Sequence, residues 1–282
     1  MAQAASNLAN VDMRIDDEQF AHISTLITRH FGIQLPPHKR GLVQMRLRRV
    51  VAETGFTDFT SFYKAHVATK SPSVEILGRL IDRISTNHTH FWREAEHFVH
   101  LRDVVLPEIL RGGSRDLRLW CAAAATGEEP WTLAMLVTQA VQPLGWQGGL
   151  LATDISARAL ETAQRGVYKA ENVTRLPAPL RERWMRSEPD GSLRIVDALR
   201  PEVTWRRLNL IGTQFAFKRP MDVVFCRNVM IYFDEPTRRD VVRRIATVTR
   251  PGGWLFIGHS ETLGRHDADW RFERPGMYRR VG

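Results

Sequence analysis

The sequence predicts an α/β protein in two parts: a small all-α N-terminal domain, then a doubly wound parallel sheet with a small antiparallel β-subdomain. Three observations lead there. Between about Asp16 and Leu80, apolar residues recur at helical spacing with few strand-like runs. From Leu117 onward, short apolar runs alternate with helical stretches, the signature of βαβ units. Between Trp184 and Asn209 this alternation breaks around Asp190-Gly191, a turn signal between two short β-prone pieces, which reads as a small antiparallel insertion or else as only a long surface loop. The boundaries that follow are a helical domain over 1–80, a junction over 81–94, and an α/β domain over 95–282 with the insertion at about 185–208. A chain of 282 residues, 43% hydrophobic, can bury two cores.

In the first domain Gly32, Pro36-Pro37, Gly55 and Pro72 punctuate the helices, and Asp58 before Phe59 is a helix start. After Lys39, Val43, Leu47, Val50 and Val51 fall on one helical face, with Arg46, Arg48 and Arg49 on the opposite arc. Such a charge run is ordinarily a solvated face. Here no Asp or Glu occurs from Gln19 to Ala52, while Arg29, Lys39 and Arg40 add to the three arginines. This concentration makes Arg46 and Arg49 candidates for docking an acidic partner. The formal net charge of +9 agrees but does not by itself choose among nucleic acid, anionic membrane and acidic protein.

In the second domain the expected strands are LRLWCAAA, GGLLATDI, MDVVFCRN and GGWLFIGH. The helices between them are EEPWTLAMLVTQAV, SARALETAQR closed by Gly166, and EPTRRDVVRRIATVT before RPGG. Cys121 and Cys226 each lie in an apolar run, so neither a disulfide nor a thiolate site is expected. Ten histidines include no HExxH and no Cys/His pairing at zinc-like spacing, so no metal is expected. No apolar run approaches the roughly 18 residues of a membrane span, and MAQAASNLANVDMRIDD has neither a basic start nor an apolar h-region. A cytoplasmic location without membrane insertion is the expectation.

The stretch richest in chemistry is LRLWCAAAATGEEPWTLAM, a strand, a turn of small residues and a helix opening at Thr126-Gly127. Small residues let a ligand approach the backbone, and a helix N-terminus offers unpaired N–H groups. Glu128 and Glu129 there would repel a phosphate, although they equally complement the helix dipole. Neither GxGxxG nor GxxxxGK[ST] is present, so a nucleoside without pyrophosphate is favoured over NAD or ATP. Asp154 closes the next strand, where an acid can bond both ribose hydroxyls of an adenosine; it is also an ordinary helix cap. Asn228 and Tyr232 follow the apolar part of MDVVFCRNVMIYF. At the junction, ISTNHTHFWREAEHF gathers Asn87, Thr89 and Arg93 around Phe91 and Trp92, which suits either an active site or an interdomain staple.

Five ordered blocks, TNHTHFWREAEHF, AAAATGEEPW, ATDISARALETAQRGVY, CRNVMIYF and PGGWLFIGHSETL, closely resemble the motifs of the chemotaxis receptor methyltransferase (CheR) family across nearly the whole chain. The resemblance implies an all-α N-terminal domain joined to a Rossmann-like, S-adenosylmethionine-dependent methyltransferase domain with a β-subdomain. It implies a cofactor site of Asn87, Thr89, Arg93, Glu128 or Glu129, Asp154, Asn209, Leu210, Asn228 and Val229. It further implies methyl transfer to glutamates on the acidic cytoplasmic helical bundle of methyl-accepting chemotaxis receptors, by a monomer, giving glutamate methyl esters and S-adenosylhomocysteine. Ala125, Trp131 and Trp92 stand where Ser, Tyr and a second Phe are usual in the family. The short insertion near Asp190 puts in doubt a β-subdomain that grips a tethering peptide.

A glutamate of ordinary pKa, about 4.3, is already a carboxylate at neutral pH and needs no general base to attack a sulfonium methyl. The expected catalytic residues are therefore positioning ones: Arg93, orienting the carboxylate of the substrate or of the cofactor, and Tyr232, shaping the transfer channel. Two rivals remain at this point. A nucleic-acid methyltransferase would suit the basic charge, but the Asn-Pro-Pro-aromatic motif is missing and the only Pro-Pro, Pro36-Pro37, precedes His38. A cofactor-sensing module without turnover is opposed by intact Asn87, Arg93, Asp154 and Tyr232.

Overall fold

A computed structural model of the chain describes residues 11–69, 72–85, 87–112, 116–212, 214–264 and 267–282. Most of the N-terminal stretch judged above for a leader, residues 1–10, lies outside these. The chain divides into two compact units, Met1–Thr86 with Tyr232–Asp234, and Asn87–Ile231 with Glu235–Gly282. The expected junction over 81–94 therefore splits: its start completes a helix of the first unit and Asn87 onward belongs to the second.

The first unit is helical. Helix α1 (Asp17–Phe31) opens on a capping box, in which the Asp16 carboxylate takes the Gln19 N–H and the Gln19 side chain takes that of Asp16. Gly32, at φ 70°, closes it in the left-handed conformation glycine adopts freely. Helix α2 (Arg40–Glu53) buries Val43, Leu47, Val50 and Val51, the face expected from their spacing. Asp58 caps α3 (Phe59–His66) through the Ser61 N–H, and Ser73 caps α4 (Val74–Ile84) through the Ile76 N–H. Phe20, Ile23, Ile27, Leu47, Phe59, Phe62 and Leu80 interlock as one core, each contributing roughly 1.5–3 kcal/mol on burial. The Tyr232–Asp234 segment groups with these helices, and its Tyr232 carbonyl accepts the Gln34 N–H at 3.0 Å.

The basic face of α2 divides its labour. The Arg46 guanidinium donates to the Ile84 carbonyl at 2.5 Å, satisfying one of the carbonyls that α4 leaves open at its C-terminus. Arg48 and Arg49 stay exposed, Arg49 bonding Glu53 one turn on at 2.7 Å. The docking surface expected around Arg46 and Arg49 thus has one of its two arginines committed to holding α4.

The second unit begins with α5 (Ala95–His100) and α6 (Leu106–Arg111), joined through a wider π turn at Leu101–Val105. There follow β1 (Asp116–Cys121), α7 (Glu128–Val141), β2 (Gln147–Asp154), α8 (Ala157–Arg165), β3 (Val167–Tyr168), α9 (Ala170–Val173) and α10 (Ala178–Trp184). Next come β4 (Met185–Ser187), β5 (Leu193–Ile195), β6 (Val203–Arg207), β7 (Met221–Phe225), α11 (Glu235–Thr247), β8 (Thr249–Phe256), β9 (Trp270–Arg274) and β10 (Met277–Arg280). Seven strands form one sheet in the order β6-β2-β1-β7-β8-β10-β9, the first five mutually parallel and β10 antiparallel to both of its neighbours. Strands buried on both faces read as continuous apolar runs, which is why β7 was legible as MDVVF.

The β-subdomain differs from the expected 185–208. Its sheet, in the order β3-β5-β4, includes Val167–Tyr168, a pair too short to give a periodic signal. It excludes Val203–Arg207, which lies parallel to β2 at the edge of the main sheet, where Trp205 packs on Trp131. No helix among the described residues is long and apolar enough to cross a membrane.

Candidate active site

Strand β1 is flanked by β2 on one side and β7 on the other, with Cys121 level with Ala152 and with Phe225. The connection from β1 runs toward β2 and that from β7 toward β8, in opposite directions, and open α/β sheets place their ligand crevice at such a switch point, past the carboxyl ends of the strands. The small-residue turn lines it. Backbone N–H groups of Ala122, Ala124 and Ala125 donate to the Phe225 carbonyl, the Thr153 carbonyl and the Asp154 carboxylate, each at 2.8 Å. Gly127, at φ 101°, has no room for a side chain, since a Cβ would stand 2.6 Å from the Tyr168 hydroxyl and 2.8 Å from Ala163. That hydroxyl donates to the Thr126 carbonyl at 2.8 Å, and the Tyr168 ring packs edge-on against Phe91. The expected segment around Asn87 and Thr89, both half-buried, is thereby tied to the turn.

Asp154 is buried at the end of β2, and its second oxygen accepts the Ser156 N–H at 2.9 Å, so it both caps and faces the turn. Its carbonyl takes the Leu208 N–H at 3.0 Å, which sets Asn209 and Leu210 beside it. The Asn209 side chain accepts the Ile211 N–H at 2.9 Å, while the carbonyl of buried Leu210 is held by Arg244 at 2.6 Å.

The two acids of α7 have different surroundings. Glu129 accepts from Arg227 at 2.9 Å and from the Cys121 thiol at 3.2 Å. Glu128 is 5% exposed, accepts from the Thr126 hydroxyl at 2.7 Å, and among the described residues forms no ion pair with a lysine or arginine. Burial pushes its pKa above the usual carboxylate range. Arg93 donates to the His88 carbonyl at 3.1 Å, and its own carbonyl accepts from Arg227 at 2.5 Å.

Arg227, Glu94 and Glu261 were not singled out in the sequence. Arg227 is 4% exposed, stacks over Phe98 and holds Glu129 with one nitrogen and Glu94 with another, the latter at 3.0 Å. Burial alone would raise the Glu94 pKa, but Arg227 and the Asn228 amide, bonded at 3.1 Å, hold it below the usual value. Buried Glu261 gathers the N–H groups of Asn228, Met230, Ile231 and Gly258, fixing the turn after β7 that carries Asn228 and half-buried Val229. His97 is fully buried nearby; desolvation first, then Arg227, push its pKa down to about 3. The signal available for these residues was weak: charged side chains at the ends of apolar runs, which on sequence alone read as loop polarity.

Among the described residues, four other than glycine have positive φ: Trp92, Glu94, Ala125 and Asn228. All four stand on the loops just described. Each such conformation costs on the order of 1–2 kcal/mol and persists where surrounding structure over-determines it, as at ligand sites.

The donor set suits a cationic nucleoside. An acid ends β2 where a ribose diol is read, small residues admit a ligand to the backbone, and Glu128 is a buried carboxyl lacking a cation that a sulfonium or ammonium group would supply. Fold and crevice together define an S-adenosylmethionine-dependent methyltransferase. Residues 87–276 match the family described as CheR methyltransferase, SAM binding domain, and residues 18–85 match CheR methyltransferase, all-alpha domain. A chemotaxis protein methyltransferase of Borreliella burgdorferi is 33% identical over 97% of this chain and 98% of its own length. One of Escherichia coli is 37% identical over 89% of this chain and 86% of its own, and chemotaxis protein methyltransferase 2 of Pseudomonas aeruginosa is 34% identical over 90% of each. The chain belongs to the CheR methyltransferase family and acts as an S-adenosylmethionine-dependent methyltransferase in chemotaxis.

Proposed function

We propose that the chain, as a cytoplasmic monomer, esterifies glutamate side chains on the acidic helical bundle of its chemoreceptor. The carrying observation is Glu128, buried without a cationic partner at the crevice beside the β1 turn. S-adenosylmethionine supplies a methyl group on a positively charged sulfur. Everything else is placement. Glu128 rather than Glu129 faces the cofactor's positive end, because Arg227 and Cys121 already occupy Glu129. Asp154 reads the ribose; Asn87, Thr89, Asn209, Leu210, Asn228 and Val229 complete the cofactor contacts. Arg93 orients a carboxylate, of the substrate or of the cofactor, and Tyr232 shapes the approach of the acceptor. Because that acceptor is already ionised near neutral pH, the protein's task is alignment and exclusion of water rather than proton removal. Exposed Arg48 and Arg49, with what Arg46 leaves accessible, provide charge complementary to an acidic bundle.

Incubation with labelled S-adenosylmethionine and receptor-containing membranes should place label on the receptor, released as methanol by alkali. Arg93→Ala should abolish turnover, and Tyr232→Phe should reduce it. Label on RNA instead of receptor would overturn the reading, as would wild-type rates in Arg93→Ala.

A further inference from the structure

The second unit holds a cluster of histidine and glutamate side chains that shares Glu94 with the candidate methyl-transfer site and otherwise lies outside it. Glu94, His97 and His259 each offer one donor atom, all within 4.8 Å of one another. Glu94 Oε2 lies 3.6 Å from His97 Nδ1 and 4.0 Å from His259 Nε2. Around a tetrahedral transition metal, with bonds of about 2.0–2.2 Å, donor atoms stand roughly 3.3–3.6 Å apart. The Glu94–His97 pair already has that spacing and the Glu94–His259 pair is wider by about 0.4 Å, while the two imidazoles stand within 4.8 Å, and His259, 44% exposed, has the freedom to close on the other two. The half-exposed Glu96 carboxylate touches the same His259 nitrogen and supplies a fourth donor.

His97 is the second observation. Its side chain is completely buried, yet neither ring nitrogen has a hydrogen-bond partner. A buried polar group left unmatched costs about 1–3 kcal/mol, so a ring held there with Nδ1 toward a carboxylate calls for a ligand. The Pro275 backbone lies close enough to influence the ring, the type of acceptor that orients a ligating histidine. Arg227 lies 3.0 Å from the same Glu94 oxygen, and the Glu96 carboxylate beside His259 adds negative charge for a cation. A cleft of about 500 Å³ lined in part by Glu96, His100, His259 and Arg274 gives solvent a way in.

We infer that Glu94, His97 and His259, with Glu96, form a binding site for a divalent transition metal of the zinc type. Sequence spacing hides it, because His259 lies far along the chain from His97. The site adjoins the methyl-transfer residues through Glu94, whose other oxygen holds Asn228, so a bound ion would brace the start of α5 against the turn after β8. Its metal affinity does not depend on how the substrate reading turns out.

The test is calorimetric titration of zinc chloride into full-length, tag-free protein stripped with chelator, together with X-ray absorption at the zinc edge. One equivalent should bind, with a nitrogen and oxygen shell containing two imidazoles and no sulfur. His259→Ala should weaken binding by at least the roughly 10–100-fold that loss of even an outer-shell partner costs, and the exposed His38→Ala should leave it unchanged. His97→Leu should abolish the zinc-dependent rise in unfolding temperature while folding normally in chelator, since it removes an unmatched polar ring. Wild-type affinity in His259→Ala, a sulfur-containing shell, or no binding up to millimolar zinc would each overturn the assignment.

Discussion

Arg227 reaches across the carboxyl ends of the central strands to Glu129, Nη1 to Oε2 at 2.9 Å, with its side chain wholly out of solvent. The same guanidinium holds Glu94, so one cation serves an acid of the α7 helix and one of the loop before α5. Removing one member of such a buried arrangement costs more than the arrangement contributes, because the partners keep their desolvation penalty. Arg227→Met should destabilise the protein by about 3–5 kcal/mol, read from the urea midpoint at neutral pH. Adding Glu129→Gln should recover part of the loss. A cost within the scatter of surface substitutions would show that the pair is not structural.

Glu128 sets a pH dependence for cofactor binding. Its pKa is raised by burial in the ligand-free protein, so the stability it contributes is present below the ordinary value of 4.5 and is lost as pH rises through the raised one. A cationic ligand favours the ionised form and reverses this. Cofactor affinity should therefore increase as pH climbs from 4.5 through the raised value, and then level off. Glu128→Gln should flatten the profile, whereas the same profile in the variant would assign the titration to another group. Equilibrium binding measured across pH decides it.

Much of this site was legible because its residues fall at the ends of apolar runs. Asp154 closes LLAT, and Glu128 follows a turn of small residues that no phosphate loop explains, so both stand out in the sequence as candidates. Arg227 was not, although it neighbours Asn228. A charged residue after a strand is ordinarily solvated, and only the fold shows that Glu94 and Glu129 converge on it. Glu261 shows the same difficulty: its four partners are backbone N–H groups, which leave no trace in side-chain pattern. The β-subdomain was misjudged for a related reason, since pairing between Tyr168 and Leu193 is set by tertiary packing rather than by local alternation.

Gly258 should tolerate no side chain. A Cβ there would stand 2.3 Å from Asn228 Nδ2 and 2.9 Å from Glu261 Oε2, so Gly258→Ala must displace the amide or the acid that fixes its turn. Misplacement of a positioning group by about an ångström costs on the order of 100-fold in rate. The expectation is a loss of that size in kcat/KM with the circular-dichroism spectrum unchanged. Wild-type turnover would mean that Asn228 does not need its present position.

The arginines of α2 separate docking from stability. Arg46 donates to the Ile84 carbonyl at the end of α4, and charged hydrogen bonds of this kind contribute roughly 1.5–3 kcal/mol, so Arg46→Ala should lower the unfolding midpoint of the helical unit. Arg49 is mostly exposed and bonds only Glu53 one turn away, an arrangement of small worth in water. Arg49→Glu should therefore leave the midpoint nearly unchanged yet raise KM for receptor without altering cofactor affinity. If the contribution is electrostatic, the difference between wild type and Arg49→Glu should shrink with added salt, since exposed charges are screened beyond about 8–10 Å at physiological ionic strength. A KM that responds to Arg46→Ala but not to Arg49→Glu would place the docking surface elsewhere, because the first substitution acts through α4 and the second only through charge.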